Sequence, residues 1–245
     1  MAMNVAIITA RGGSKSIPHK NLYPINGKPL VAYAARAALD AKKIDYIFID
    51  TDDGQIALEA RKEARREKRH IWLIWRPDDL RGDNVNHGDV IKHAVFEITA
   101  KLPELQNVVV LLGNTVMVDG ELIDQALTML DEHPEADSVM SVWQAQDDHP
   151  YRALTMTAGT LQSFGDSRPI STNRQAYPPV YFYDQGVWAF RWQCVNMEGP
   201  IRPWWWMGNV CLPIVRPWIA GRDVHSQLDI DVAEWWVRRG HDPEG

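Results

Sequence analysis

The sequence predicts an α/β fold, a parallel sheet with helices on both faces. Three observations carry this. Short apolar runs rich in β-branched residues alternate with stripes of helical spacing through the first half of the chain. The runs are apolar at consecutive positions, as strands covered on both faces are. The chain has 245 residues, enough for one large domain, 1–245, at about 100–200 residues per domain.

The elements follow in order. Val5–Thr9 reads as the first strand. Pro29 suits a first helical turn, and Leu30, Ala34, Ala37, Ala38 and Ala41 follow at helical spacing. Tyr46–Ile49 is a second strand, and Gln55–Lys68, rich in Arg, Glu and Ala, a solvent-facing helix. Ile71–Trp75 is a third strand, followed by the stripe Val90, Ile91, Ala94, Val95, Ile98 and Leu102. Val108–Leu112 precedes a helix that Asp119 would cap and that carries Leu122, Ile123, Ala126, Leu127 and Leu130. Ser138–Val142 is a fifth strand. From about 143 to 183 helical periodicity is lost, and the segment reads as an irregular or β-rich insertion. Gly186–Phe190 and Val210–Val215 read as return strands, and Val232–Arg239 as a terminal helix closed by Gly240. Ligands of such sheets sit beyond the carboxyl ends of the strands, here the loops after Thr9, Ile49 and Leu112.

Composition narrows the function. The 26 basic and 32 acidic residues give a net charge of −6, which excludes a globally basic surface for nucleic acid. No apolar run approaches the roughly 18 residues of a membrane span. The start of the chain lacks a basic leader, and the two cysteines, Cys194 and Cys211, form no disulfide framework, so a cytoplasmic protein is expected.

The first loop carries the strongest signal. Ala10–Lys28, ARGGSKSIPHKNLYPINGK, is far longer than the usual 2–6 residues between strand and helix. Residues 1–39 hold Arg11, Lys15, Lys20, Lys28 and Arg36 and no acid. Gly12 and Gly13 let backbone amides approach an anion, Arg11 offers a planar fork, and Lys15 and Lys20 add point charges. A triphosphate is the fitting ligand, against a solvated turn as the plain alternative. The loop contains neither GxxxxGK[ST] nor GxGxxG.

ARGGSKSIPHKN followed by INGKPL resembles the opening of the acylneuraminate cytidylyltransferase family, whose pattern is close to ARGGSKxIPxKN…GKPL. The resemblance implies a Rossmann-like nucleotidyltransferase sheet, transfer of CMP from CTP to a nonulosonic acid with release of pyrophosphate, Mg²⁺ as cofactor and a homodimer. It implies that Arg11, Ser14, Lys15, Lys20 and Asn21 surround the nucleotide, with Arg11 and Lys20 taking phosphate charge. Asn86 and His87 stand where the family has paired serines; contact with ribose or base and the capping of a helix are both open. Thr51-Asp52-Asp53 matches the family's Ser/Thr-Asp-Asp and equally suits a helix cap.

Gly113-Asn114-Thr115-Val116-Met117 replaces the family's Gln-Pro-Thr-Ser-Pro, a segment near the acceptor, and only Thr115 agrees. A different acceptor, such as a phosphonate, or a non-catalytic nucleotide-binding protein therefore stays open. Arg174-Gln175 and Pro178, then Gln185-Gly186, resemble the family's R-Q-D-x-P…N-G stretch, with Ala176 for its Asp and Gln185 for its Asn; the resemblance implies acceptor contact by Arg174, Tyr177 and Gln185 and dimerisation through the 143–183 insertion. Asp229 and Asp231 lie two apart. In an extended segment both would face one side as an Mg²⁺ site; alternatively Asp231 caps the last helix and Asp229 lies on the surface. The resemblance to S-x-DID-T favours the metal. The run Trp204-Trp205-Trp206 has no mechanism in the sequence; an exposed partner patch and the core of an interface are both open.

Overall fold

A computed structural model describes residues 3–14, 16–66, 69–82, 84–165 and 171–241. The chain runs β1 (Met3–Thr9), β2 (Pro24–Ile25), β3 (Lys28–Pro29), α1 (Leu30–Asp40), β4 (Tyr46–Thr51), α2 (Gly54–Arg66), β5 (Ile71–Trp75) and α3 (His87–Thr99). It continues with β6 (Leu105–Leu112), α4 (Gly120–Glu132), β7 (Ser138–Gln144), β8 (Leu154–Thr157), β9 (Thr160–Ser163), β10 (Tyr181–Arg191), β11 (Cys211–Val215) and α5 (Gln227–Trp236).

The main sheet has seven strands in the order β11-β7-β10-β6-β1-β4-β5. All its pairings are parallel except those of β10, which runs antiparallel to β6 and β7. The parallel strands and their helices follow the predicted alternation, and β10 makes the sheet mixed. The chain winds outward from β1 in both directions, so strand order reverses there. The loops after β1, β4 and β6 open together at this reversal, where a ligand crevice forms.

Two apolar layers sandwich the sheet. One joins Ile8, Ile49 and Leu111 to Ala34, Ala38, Ala60 and Leu127, the small faces of α1, α2 and α4. The other joins Ile7, Val110 and Phe190 to Ile91, Val95 and Ile98 of α3 and to Trp206 and Met207. The tryptophan run thus belongs to the protein's own core: Trp206 is 2% exposed and fills the face beside the single helix α3. The close fit requires Gly88, since a Cβ there would lie 2.6 Å from Trp206 Cε3.

Several sequence boundaries shift. Pro29 precedes α1 as its N-cap residue. Asp119 caps α4 as expected, accepting from Leu122 N at 2.8 Å. The excursion is shorter than 143–183, because Trp143 and Gln144 complete β7 and Tyr181–Tyr183 begin β10, with Tyr181 opposite Gln144. It carries the hairpin β8–β9, turned by Ala158 and Gly159 at φ of 51° and 79°. The terminal helix begins five residues before Val232, at Gln227. Ser226 and Asp229 form a reciprocal capping box there, so Asp231 lies inside the helix and does not cap it.

Candidate functional site

The long first loop is anchored from beneath. Gly12 N donates to Asp52 Oδ1 at 2.7 Å, so this amide faces β4's following loop and is not free for an anion. A Cβ on Gly12 would lie 2.9 Å from Asp53 Cβ, so glycine is needed here. Asp53 caps α2 through Gln55 N at 2.7 Å. The two acids thus divide the roles left open by the sequence: Asp53 starts a helix and Asp52 clamps the loop. Gly13 faces open space, and Ser14 is half-buried beside it. Lys15 lies outside the described residues. The buried Asn21 donates from Nδ2 to the Arg11 carbonyl at 2.8 Å, so it shapes the loop that presents Arg11.

Lys20 marks the inner end of the loop. Its Nζ lies 3.4 Å from His225 Nδ1, and His225 Nε2 lies 2.7 Å from Asp223 Oδ2. Burial lowers the Lys20 pKa, Asp223 raises it, Arg11 lowers it further and Asp229 raises it. His225, which also donates its backbone N to Asp229 Oδ2 at 3.1 Å, thus joins the first loop to residues from the opposite end of the chain. A phosphate arriving there compensates the partly desolvated ammonium and the Arg11 charge beside it.

The metal expectation needs correction in its geometry. Asp229 and Asp231 both lie in α5, where residues two apart diverge by about 200° around the axis. Asp231 accepts from Gln227 Nε2 at 3.0 Å on the exposed side. Asp229 Oδ2 accepts from Ser226 N, Ser226 Oγ and His225 N, and Oδ1 from Arg222 Nη2 at 2.7 Å. Burial raises the Asp229 pKa, but the hydrogen bonds from Arg222, Ser226 and the two amides outweigh it and hold the carboxyl below its usual range. The second acid near Lys20 is Asp223. Among the described residues no group of three His, Cys, Asp or Glu side chains could hold a metal by itself. Asp229, held ionised, and Asp223 beside Lys20's partner His225 nevertheless fit Mg²⁺, which takes one or two carboxylates together with substrate phosphates.

Asn86 is the N-cap of α3, accepting from Gly88 N at 2.9 Å. His87 starts that helix and points to the end of β1, with Nε2 3.0 Å from Thr9 Oγ1. Its ring meets Trp188 and Trp206 edge-on at 5.8 Å and 6.2 Å. Burial, then the nearby Arg76 charge, push its pKa down to about 4. His87 is therefore a neutral imidazole near neutral pH. Arg76 is itself buried and binds Asp50 on β4, Nη2 to Oδ1 at 2.5 Å.

The loop after β6 works indirectly. Gly113 is buried, and a Cβ there would lie 2.7 Å from Ala10 Cβ, so glycine lets this loop close against the first. Asn114 Nδ2 donates to Asp223 Oδ2 at 2.7 Å, and the buried Thr115 donates from Oγ1 to the Arg222 carbonyl at 3.2 Å. Of the three residues expected at the acceptor, Asn114 and Thr115 thus hold the 222–225 turn, and Gly113 lets this loop close against the first. Tyr177 packs on His149 at 4.8 Å within the excursion, away from Lys20's neighbours. Gln185 lies beside the buried Asp184–Arg216 ion pair, with Oε1 lacking a hydrogen-bond partner among the described residues. The Arg174 side chain lies outside what the structure describes. Sequence reasoning missed Arg222, Asp223 and His225. Their signal was the run Arg222-Asp223-Val224-His225 directly before the Asp229 segment.

Residues 5–155 match the family model described as cytidylyltransferase. The chain is 33% identical over 197 residues to an 8-amino-3,8-dideoxy-manno-octulosonate cytidylyltransferase of Shewanella woodyi, covering 77% of this chain and 75% of the relative. It is 28% identical over 123 residues to a pseudaminic acid cytidylyltransferase of Campylobacter jejuni, covering 50% of this chain and 51% of that one. Two solved structures share the fold at 14% identity. One is CMP:2-keto-3-deoxy-manno-octonic acid synthetase complexed with CTP, with a TM-score of 0.66 over 98% of this chain and 100% of the other. The other is 4-diphosphocytidyl-2C-methyl-D-erythritol synthase of Anaerococcus prevotii, with 0.67 over 97% of each. The chain belongs to the cytidylyltransferase family and is a CTP-dependent nucleotidyltransferase.

Proposed function

We propose that this enzyme moves CMP from CTP to the anomeric hydroxyl of a nonulosonic acid. The link of Lys20 to His225 at 3.4 Å, and of His225 to Asp223 at 2.7 Å and to Asp229 at 3.1 Å, carries the reading. The name of the Campylobacter relative supports a nonulosonic acceptor, and that of the Shewanella relative an eight-carbon octulosonate, a sugar acid of the same 2-keto-3-deoxy kind. The acceptor oxygen attacks the α-phosphorus in line, and pyrophosphate leaves. Arg11 and Lys20 neutralise the phosphate oxygens, Ser14, Gly13 and Lys15 complete the anion-binding loop, and Asn21 holds its shape. His87, a neutral imidazole, and Asn86 flank the nucleoside end.

Asp229 and Asp223 are the acids we assign to Mg²⁺. When bound, the ion supplies charge neutralisation at the phosphates. Asp229 is ionised through its hydrogen bonds, which supports this role. The working unit is proposed to be a homodimer. Leu154, Met156 and Leu161 share one face of the β8–β9 hairpin at 58%, 75% and 64% exposure, an apolar surface that a second copy would cover. Cytoplasmic residence completes the proposal, supported by the unpaired Cys194 and Cys211.

Thermal unfolding with CTP, UTP, GTP and ATP, each with and without Mg²⁺, tests the donor. CTP at about 100 times its dissociation constant adds about 2.7 kcal/mol, and the other nucleotides should add less. Pyrophosphate release with 8-amino-3,8-dideoxy-manno-octulosonate, pseudaminic acid and a phosphonate then tests the acceptor. Turnover with the phosphonate alone discards the sugar acid, and CTP binding without turnover of either sugar acid refutes the proposed acceptor class.

A further inference from the structure

Strand β10 is interrupted beside β7. Tyr183 pairs with Val142 and Trp188 with Met140, so residues 184–187 stand opposite Ser141 alone. A bulge of this kind re-aims side chains, and the Asp184 it carries is fully buried. Asp184 Oδ1 accepts from Ser141 Oγ and, at 2.7 Å, from Gly186 N. Its Oδ2 accepts from Arg216 Nη1 at 3.1 Å. A Cβ at position 186 would collide with that nitrogen, so glycine there admits the guanidinium. An ion pair this deep adds little stability by itself, and the second arm of Arg216 has a different partner.

Arg216 Nη2 donates to the carbonyl of Met117, in the loop after β6. Met117 N donates to Thr115 Oγ1 at 3.1 Å, and Thr115 Oγ1 donates to the Arg222 carbonyl at 3.2 Å. One residue further back, Asn114 holds Asp223 Oδ2 through its side chain at 2.7 Å and accepts from Val224 N on its carbonyl at 2.9 Å. A chain of hydrogen bonds thus runs from the β10 bulge through Arg216 and residues 114–117 to the turn that carries Asp223 and His225. That turn meets Lys20 through His225. Only a planar fork reaches both ends of the first link, Asp184 on one nitrogen and Met117 on another; a lysine ammonium is a single point.

We propose that Arg216 is a positioning residue for the transfer: it braces the loop after β6 and, through that loop, sets Asp223 at the Lys20 end of the phosphate loop. Arg216 itself touches no substrate. The proposal rests on the reading above that Asp223 serves the phosphates, and adds what holds this acid in place.

The test is Arg216→Lys, which keeps a cation beside Asp184 and loses the second arm. Hydrogen exchange at the Val224 amide should speed up at least about tenfold, while the amides of β1 and β6 keep their protection. The kcat of pyrophosphate release should fall at least about tenfold, since small misplacements of a charged group are costly, and the Mg²⁺ needed for half-maximal rate should rise. CTP affinity, measured calorimetrically without Mg²⁺, should stay within about threefold. Ile98→Val, a core change in α3, should move neither Val224 exchange nor kcat. If Arg216→Lys does not fold, Arg216→Met with Asp184→Asn serves instead, since it removes the brace and leaves no unpaired buried charge. Unchanged Val224 exchange overturns the bracing. Faster exchange with unchanged kcat overturns its bearing on the transfer, and a loss of CTP affinity matching the fall in kcat overturns Asp223 as the cause. Wild-type enzyme that binds CTP but turns over no sugar acid refutes the acceptor reading instead, and the exchange result still decides the bracing.

Discussion

His87 gives the protein a stability term that acid removes. The folded imidazole has a pKa of about 4, against about 6.5 in an unfolded chain. Between these values the unfolded state binds a proton that the folded state refuses, so stability falls as the pH drops from 6.5 toward 4 and is unaffected by this group above 6.5. At pH 5 the unfolded imidazole is almost fully protonated and the folded one almost fully neutral. The loss is about 1.5 pH units at 1.36 kcal/mol each, or about 2 kcal/mol. For a chain of this size that lowers the unfolding midpoint by about 4–8 °C. Other groups titrate in the same range, so the measurement is a difference. Unfolding midpoints of wild type and His87→Gln are recorded from pH 7.5 to pH 5. Glutamine keeps a polar group near Thr9 and cannot titrate. The wild-type advantage should shrink by about 2 kcal/mol across that range. Parallel curves for the two proteins would refute the reasoning, since the imidazole would then be hydrated or charged in the fold.

Other expectations follow from the packing. Arg76→Leu leaves the fully buried Asp50 without its partner. It should cost about 3–5 kcal/mol in denaturant unfolding, and adding Asp50→Asn should recover part of the loss. Gly12→Ala drives a Cβ against Asp53. CTP binding should weaken at least about tenfold, with an unfolding midpoint changed by only a few degrees, because the strain is confined to the loop. Ser226→Ala removes the cap of α5 and one ligand of Asp229. It should cost about 1 kcal/mol of stability and lower the apparent Mg²⁺ affinity of the CTP complex in titration calorimetry. Met156→Glu with Leu161→Glu should halve the mass in sedimentation without lowering the unfolding midpoint of the monomer.

The core strands and helices were legible because their signals are local. Val5–Thr9 and Val108–Leu112 read as strands from composition alone, and Asp119 announced its helix. The alternation also pointed to the loops after β1, β4 and β6, which the sheet brings together where its strand order reverses. What the sequence hid are contacts across long separations. Asp52 clamping Gly12, Asn114 holding Asp223 and Lys20 meeting His225 join residues 40, 109 and 205 positions apart. The DID segment misled in a specific way. Asp229 lies three residues after Ser226, a capping-box spacing that outweighed the extended reading and turned Asp231 away. The tryptophan run was opaque because Trp206 meets α3 and β10, neither of which is near it in sequence.

The excursion between β7 and β10 leaves and returns at one spot: Ala145 N donates to the Val180 carbonyl at 2.8 Å, directly beyond the Gln144–Tyr181 pair. A segment closed in this way behaves as an exchangeable cassette. Its length can grow or shrink, and its apolar hairpin can be rewritten, without altering the register of any strand in the sheet. Lineages can therefore revise this segment while the loops beyond β1, β4 and β6 keep their places. A chimera carrying a relative's cassette between Gln144 and Tyr181 should fold around an unchanged nucleotide site.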